Sequence, residues 1–327
     1  MQAVETEGLR KEYEGNIVAV SGIDLEVEEG QVFAFLGPNG AGKTTTVRML
    51  TTLLRPTSGR ASVAGLDLYR QQHEIRRSIG VALQEAGLDA LATARELLEL
   101  QAKLCGLNNE TAKRRAGEML EVVGLMEAAE RQVKTYSGGM KRRLDLASAL
   151  VHQPRMLFLD EPTEGLDPAS RASVWQEVQK LNKQMGMTVF LTTHYLEEAD
   201  RLADRVAIID HGAIVAEGTP AELKATIGAD VVTVSFHDSG VEQAKSLLAE
   251  MPGLREMRPE GNSLTLFVDN GTQAVAQVIR ILDSAGIEMG QVAVSHPSLD
   301  EVFLKATGSR LEGGEEAARE ENNDGSR

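Results

Sequence analysis

The residues with the most specific chemistry are Gly37, Pro38, Asn39, Gly40, Ala41, Gly42, Lys43 and Thr44, which spell G-x-x-x-x-G-K-[ST]. Gly40 and Gly42 let the backbone curl so that successive N–H groups point inward at phosphate oxygens. Lys43 would reach the β- and γ-phosphates, and the Thr44 hydroxyl would be a ligand for Mg²⁺. An apolar run, Val32 to Leu36, enters this loop, and a helical pattern beginning with Thr44 and Thr45 leaves it. The dipole of that helix adds to the anion site. Strand, glycine-rich turn and helix in that order predict a phosphate-binding P-loop and a nucleoside triphosphate as ligand.

A second constellation is carboxylic. Met156 to Leu159 is a continuous apolar run ending in Asp160-Glu161, as for a parallel strand buried on both faces. Acids at the C-terminal end of such a strand lie where α/β sheets bind ligands. Asp160 would hold Mg²⁺ and Glu161 would polarise an attacking water; ionised groups there are costly unless paired or metal-bound. Ser137-Gly138-Gly139 opens a helical run and offers a hydroxyl, bare N–H groups and a dipole end. Alone it reads equally as an anion-binding surface or as a serine N-cap with glycines in its loop. Asp167 before Pro168 caps a helix without any need for catalysis. His194, after the apolar strand Thr188 to Thr192, could sense a γ-phosphate or be structural. Tyr13 is either an adenine-stacking aromatic or a half-exposed strand residue.

The elements that must position these groups are legible in outline. Residues 3–30 alternate in short runs, Ile17 to Val20 and Ile23 to Val27, which predicts antiparallel strands. Ala61 to Ala64 and Ile79 to Leu83 read as strands, the second ending at Gln84. Residues 88–150 turn helical: a capping box at Thr93 and Glu96 opens a helix through Leu104. A second amphipathic helix follows, from Glu110 to Val123, with Lys113, Arg114 and Arg115 expected on its solvated side. Met140, Leu144, Ala147 and Val151 share one face of a third. Asp167 starts a helix that Gly186 ends; Arg205 to Asp210 and Ala213 to Glu217 pair around Gly212. Thr219, Pro220 and Glu222 cap the next helix.

From Asp230 the character changes. Strand, helix, two strands, helix and strand follow in a β-α-β-β-α-β order, ferredoxin-like, and Ser298 with Glu301 caps a last short helix carrying Val302, Phe303 and Leu304. A regulatory or dimerising module and a packing appendage both fit. From Leu311 the sequence GGEEAAREENNDGSR is acidic, lacks aromatics and is expected to be disordered. The expected fold is α/β: a mixed β core with a helical subdomain over residues 88–150, within a domain spanning 1–227. A small α+β domain over 228–310 and a tail over 311–327 complete it.

Composition narrows the function. The chain has 327 residues and a net charge of −15, so its surface as a whole repels nucleic acid and anionic lipid. A single cysteine, Cys105, excludes an intrachain disulfide framework and a cysteine-rich zinc site. Glu5, Glu7, Arg10 and Lys11 near the start give no expectation of a signal peptide. No run reaches the roughly 18 apolar residues of a membrane-spanning helix, so a cytoplasmic chain meeting the membrane through a partner is expected.

With these motifs assembled, the sequence from about Val4 to Ile227 resembles the nucleotide-binding subunit of an ATP-binding cassette (ABC) transporter. The resemblance implies ATP with Mg²⁺, Tyr13 on the adenine, and Gln84 linking the metal to an integral-membrane permease. It makes Ser137 to Met140 the signature loop, Asp160 and Glu161 the metal-binding and catalytic acids, Asp167 the cross-dimer aspartate and His194 the γ-phosphate switch. It further implies that ATP joins two copies, or a copy and a close homologue, face to face, and that hydrolysis releases them. The signature here is Tyr-Ser-Gly-Gly-Met where Leu-Ser-Gly-Gly-Gln is commonest. Glu164 stands where a small or amidic residue is usual, and a carboxylate there could alter metal affinity. The stretches SGGMKRRLDLASAL and SHPSLDEVFLKATG resemble those of daunorubicin/doxorubicin-type drug-resistance exporters. A soluble ABC-type ATPase acting on ribosomes or DNA is the competing expectation.

Overall fold

The computed structural model describes residues 1–84, 87–228, 230–236, 241–295 and 297–308. The expected tail, residues 311–327, lies outside them. Met1–Pro220 and Ala221–Arg310 form two compact units.

The first unit opens with β1 (Gln2–Tyr13) and β2 (Ile17–Glu28), then β3 (Val32–Leu36), α1 (Lys43–Leu50), β4 (Ser58–Val63) and β5 (Leu66–Asp67). There follow α2 (Gln72–Ser78), β6 (Ile79–Ala82), α3 (Ala94–Leu104), α4 (Asn109–Val122), α5 (Gly138–Leu150) and β7 (Met156–Asp160). The unit closes with α6 (Pro168–Met185), β8 (Thr188–Thr193), α7 (Leu196–Leu202), β9 (Arg205–Asp210) and β10 (Ala213–Gly218), and α8 (Pro220–Ala225) leads out of it.

Its main sheet has six strands in the order β10-β9-β3-β8-β7-β6. β9, β3, β8, β7 and β6 run parallel, and β10 pairs antiparallel with β9. Every residue of β3, β7 and β8 is buried, the environment their uninterrupted apolar runs require. Phe190 lies at the centre, its ring 5.4 Å from those of Phe33 and Phe158 and 5.8 Å from that of Phe35. Because these strands are parallel, β3, β7 and β8 deliver Gly37, Glu161 and His194 to the same edge of the sheet. β1, β2, β4 and β5 form a second, antiparallel sheet of four strands.

Local reading missed or misdrew some elements. β2 is one strand, not two: Gly22 takes φ 107°, and register shifts in the pairing with β1 absorb the irregularity that looked like a break. The short helices α2 and α7 had no clear start signal. On α4, Lys113 and Arg114 are exposed as expected, but Arg115 is buried. Its guanidinium donates to the carbonyls of Val151 (3.0 Å) and Leu150 (3.3 Å) at the C-terminal end of α5 and pairs with Glu118. A cation answering the orphan carbonyls of a helix end is worth burying.

The second unit carries β11 (Asp230–Phe236), α9 (Val241–Leu248), β12 (Leu254–Glu260), β13 (Ser263–Val268), α10 (Gly271–Ser284), β14 (Met289–Ser295) and α11 (Leu299–Thr307). Its sheet order is β12-β13-β11-β14, antiparallel throughout, which is the ferredoxin-like arrangement expected. Val232, Val234, Leu264, Leu266, Val278 and Leu282 fill its own core. The capping box at Ser298 and Glu301 opens α11, which buries Leu299, Val302 and Phe303. Lys305 Nζ donates to the carbonyl of Thr226 at 2.7 Å, holding α11 to the segment after α8.

Candidate functional site: a phosphate-binding loop with two acids

The loop between β3 and α1 requires its glycines. A Cβ at Gly37 would lie 2.3 Å from the carbonyl oxygen of Ile209, and one at Gly42, where φ is 109°, would lie 2.5 Å from that of Ala19. Gly40 also has a left-handed φ, 81°. A cleft of about 210 Å³ opens against this loop, lined by Pro38, Asn39, Gly40, Lys43, Thr44 and Glu161, with Gln84 and Thr45 at its wall. Lys43 is 4 % exposed. Its ammonium donates to the carbonyls of Gly37 (2.7 Å) and Pro38 (3.1 Å) and pairs with Glu161 Oε1 at 2.9 Å.

Asp160 ends β7 with 1 % exposure. The hydroxyls of Thr44 (3.1 Å) and Thr192 (2.7 Å) both donate to its Oδ1. A carboxylate and a hydroxyl side by side at a phosphate loop are hard oxygen donors of the kind Mg²⁺ takes together with substrate phosphates. The residues present therefore fit the metal that the motif implies.

Glu161 follows with φ 51°, a left-handed backbone that a side-chain-bearing residue seldom adopts. The fold compels it: Glu161 N–H donates to the carbonyl (3.2 Å) and hydroxyl (3.0 Å) oxygens of Thr192 on the neighbouring strand. The turn aims the carboxylate between Lys43 and His194, whose Nδ1 hydrogen-bonds Glu161 Oε2. Burial alone would push this carboxyl up, but the His194 hydrogen bond and the Lys43 ammonium outweigh it and hold it below the usual range. The His194 ring lies 4.1 Å from that of Tyr195, and the Arg171 guanidinium covers Tyr195 at 4.2 Å. Gln84 Nε2 donates to Glu164 Oε2 at 2.5 Å, so the unusual carboxylate is engaged by the amide next to the cleft.

The remaining sequence-predicted residues lie elsewhere in the first unit. Ser137 is the exposed N-cap of α5, its oxygen accepting from Met140 N–H at 3.3 Å, with Gly138 and Gly139 in the first turn. Asp167 caps α6, accepting from the N–H (3.0 Å) and hydroxyl (2.6 Å) of Ser170, contacts that hold its carboxyl below the usual range. These two helix starts are neighbours: a Cβ on Gly139 would stand 2.8 Å from Ser170 Oγ. Tyr13 ends β1 opposite Ile17, 40 % exposed, with Lys11 Nζ 5.1 Å above its ring. Ser137, Asp167 and Tyr13 are not among the residues that line the cleft.

Several side chains with a structural hold on the site had not been singled out from sequence. Thr192 reads as one β-branched residue in a strand, and Arg142 as one cation in Lys141-Arg142-Arg143. Glu198 is fully buried, with its Oε1 accepting from Thr163 Oγ1 (3.0 Å) and Trp175 Nε1 (2.7 Å). None of these carried a spacing signal.

Residues 20–164 match the ABC transporter family, and residues 218–307 match the C-terminal domain of DrrA1-3-like ATP-binding proteins. Over 306 residues the chain is 46 % identical to the daunorubicin resistance ATP-binding protein DrrA3 of Streptomyces coeruleorubidus, covering 94 % of this chain and 96 % of that protein. The chain belongs to the ABC transporter family. This ABC protein is also 36 % identical to the linearmycin resistance ATP-binding protein LnrL of Bacillus subtilis strain 168, covering 94 % of this chain and 99 % of that one. Its fold matches the ATP-binding cassette MJ0796 in a dimeric post-hydrolysis state bound to ADP and Pi, with a TM-score of 0.61 and 28 % identity over 66 % of this chain and 98 % of that one. It likewise matches cbiO1 of Clostridium perfringens, part of the transporter complex cbiONQ, with a TM-score of 0.64 and 26 % identity over 77 % and 96 % of the two chains. As a member of this family the ABC protein is an ATPase whose hydrolysis serves transport. Among the described residues no helix is long and apolar enough to cross a membrane.

Proposed function

We propose that this ATPase drives a separate integral-membrane permease that exports a hydrophobic drug, antibiotic or lipid-like compound. The chain would work from the cytoplasmic face of the membrane, with residues 1–227 as the motor and 228–310 as an accessory domain. Support for export comes from relatives whose names record resistance to daunorubicin and linearmycin.

The observation that carries the mechanism is the placement of Glu161 between Lys43 (2.9 Å) and His194 at the C-terminal end of β7. The loop N–H groups of residues 37–45 and the Lys43 ammonium bind the phosphates of ATP. Thr44 and Asp160, with Gln84 at the cleft wall, hold Mg²⁺, which supplies neutralisation of the phosphate charge. Glu161 accepts a hydrogen bond from the attacking water and orients it; His194 keeps that carboxylate aimed and senses the γ-phosphate. Tyr13 stacks on the adenine. The cleft leaves one side of the phosphates uncovered, and a second copy or close homologue brings Ser137, Gly138, Gly139 and Asp167 to cover it. Gln84 passes closure to the permease.

Light scattering of the Glu161→Gln variant with and without ATP tests this reading. An ATP-dependent dimer that hydrolyses poorly is expected. A variant that binds ATP yet stays monomeric removes the cross-dimer roles of Ser137 and Asp167, and one that hydrolyses at the normal rate removes Glu161 from the mechanism.

A further inference from the structure

The signature helix is clasped to the nucleotide site of its own chain by one side chain. Arg142 sits on α5, little more than one turn beyond Ser137, and is 9 % exposed. Its Nε donates to the carbonyl of Pro162 (2.8 Å) and Nη2 to that of Asp160 (3.1 Å), the residues on either side of Glu161. Its Nη1 donates to the carbonyl of Leu83 (2.6 Å), immediately before Gln84, and to Asp145 Oδ2 (3.1 Å). A planar guanidinium with five N–H donors can span these acceptors at once, where an ammonium, a point charge on a flexible stem, cannot hold them in one plane.

We propose that Arg142 is a positioning residue for ATP hydrolysis, fixing the left-handed turn that aims Glu161 and locking that turn and the entry to Gln84 onto the helix that carries Ser137. The inference rests on the roles proposed for Glu161 and Gln84. Arg142 does not line the cleft; it acts through the main chain of residues 160–162. The φ of 51° at Glu161 needs outside support to persist. Thr192 supplies that support from the β8 side, and Arg142 supplies it from the α5 side. Moving α5 therefore drags the peptide on which Glu161 hangs, and the same clasp ties the loop one chain lends to its partner to the turn it uses itself.

The test is steady-state ATPase kinetics of the full chain carrying Arg142→Gln or Arg142→Lys, each checked for a cooperative melt. Expected is a fall in kcat of about 10- to 100-fold, the scale set by small misplacements of reacting groups. The KM for ATP should stay within about 3-fold, because phosphate ligands are untouched. Arg142→Lys keeps a buried cation and so keeps the fold, but it lacks the planar fork and should still lose kcat. In a Glu161→Gln background, adding Arg142→Gln should cost no further turnover, since both act through one carboxylate. Unchanged kcat in Arg142→Lys, a change confined to KM, or losses that multiply in the double variant would each overturn the proposal. Full activity of Glu161→Gln alone would instead overturn the catalytic reading, so the two failures are separable.

Discussion

His194 Nδ1 and Glu161 Oε2 share a hydrogen bond across 33 residues of sequence, because β7 and β8 are parallel neighbours that end at the same edge of the sheet. The imidazole supports the far oxygen of a carboxylate whose near oxygen is taken by Lys43. Replacing His194 with Ala should free the Glu161 carboxylate to swing. An ATPase rate lower by about 10²-fold, the low end for a positioned acid–base group, is expected. ATP affinity, measured by titration calorimetry, should hold within about 3-fold.

Lys43 should divide the other way. It is the buried cation of the phosphate loop, and its ammonium is held by carbonyls and Glu161 rather than by solvent. Lys43→Ala removes charge-assisted hydrogen bonds worth about 1.5–3 kcal/mol, so ATP should bind roughly 10- to 100-fold more weakly. A calorimetric affinity equal to that of the parent protein would show that Lys43 does not meet the phosphates.

Glu198 is the clearest stability prediction. Burial pushes its carboxyl up, and its Oε1 collects hydrogen bonds from Thr163 and Trp175, joining α7 to α6 and to the turn after β7. Glu198→Gln keeps an oxygen for both donors and should leave the urea midpoint nearly unchanged. Glu198→Ala strands a buried hydroxyl and an indole N–H, each costing about 1–3 kcal/mol. A loss of roughly 2–6 kcal/mol in urea unfolding is expected, and equal midpoints for the two variants would contradict it.

Asp145 predicts a pH effect. Burial, opposed in part by Arg142, pushes its carboxyl up to about 6 from an unfolded value of 3.8. Between those values the folded chain binds more protons than the unfolded one, so this group makes stability fall as pH rises from about 4 to 6. Above pH 6 the full cost is present; below about 4 it vanishes. Asp145→Asn mimics the protonated form. Its melting temperature should lie close to that of the parent below about pH 4 and exceed it increasingly up to pH 8, and a difference that does not grow with pH would contradict the assignment.

How far the sequence spoke depended on whether a residue's role was local. The loop Gly37 to Thr44 and the caps at Thr93, Asp167 and Ser298 were legible because spacing within a few residues defines them. So were β3, β7 and β8, whose apolar runs match burial on both faces. Arg115 and Arg142 were not. Arg115 stands in a basic run expected on a solvated side, Arg142 in one that carried no reading, and both are buried because carbonyls distant in sequence, of Leu150 and of Asp160, converge on them. The same holds for Glu198, whose partner Trp175 arrives from another helix.

The left-handed backbone of Glu161 sets strain against ion pairing at a single position. A residue with a Cβ gives up about 1–2 kcal/mol to hold that φ, and the carboxylate so aimed is also the anion that answers the buried Lys43 ammonium. Glu161→Gly would relax the turn yet leave that cation unpaired, so the strained backbone and the ion pair hold this position together.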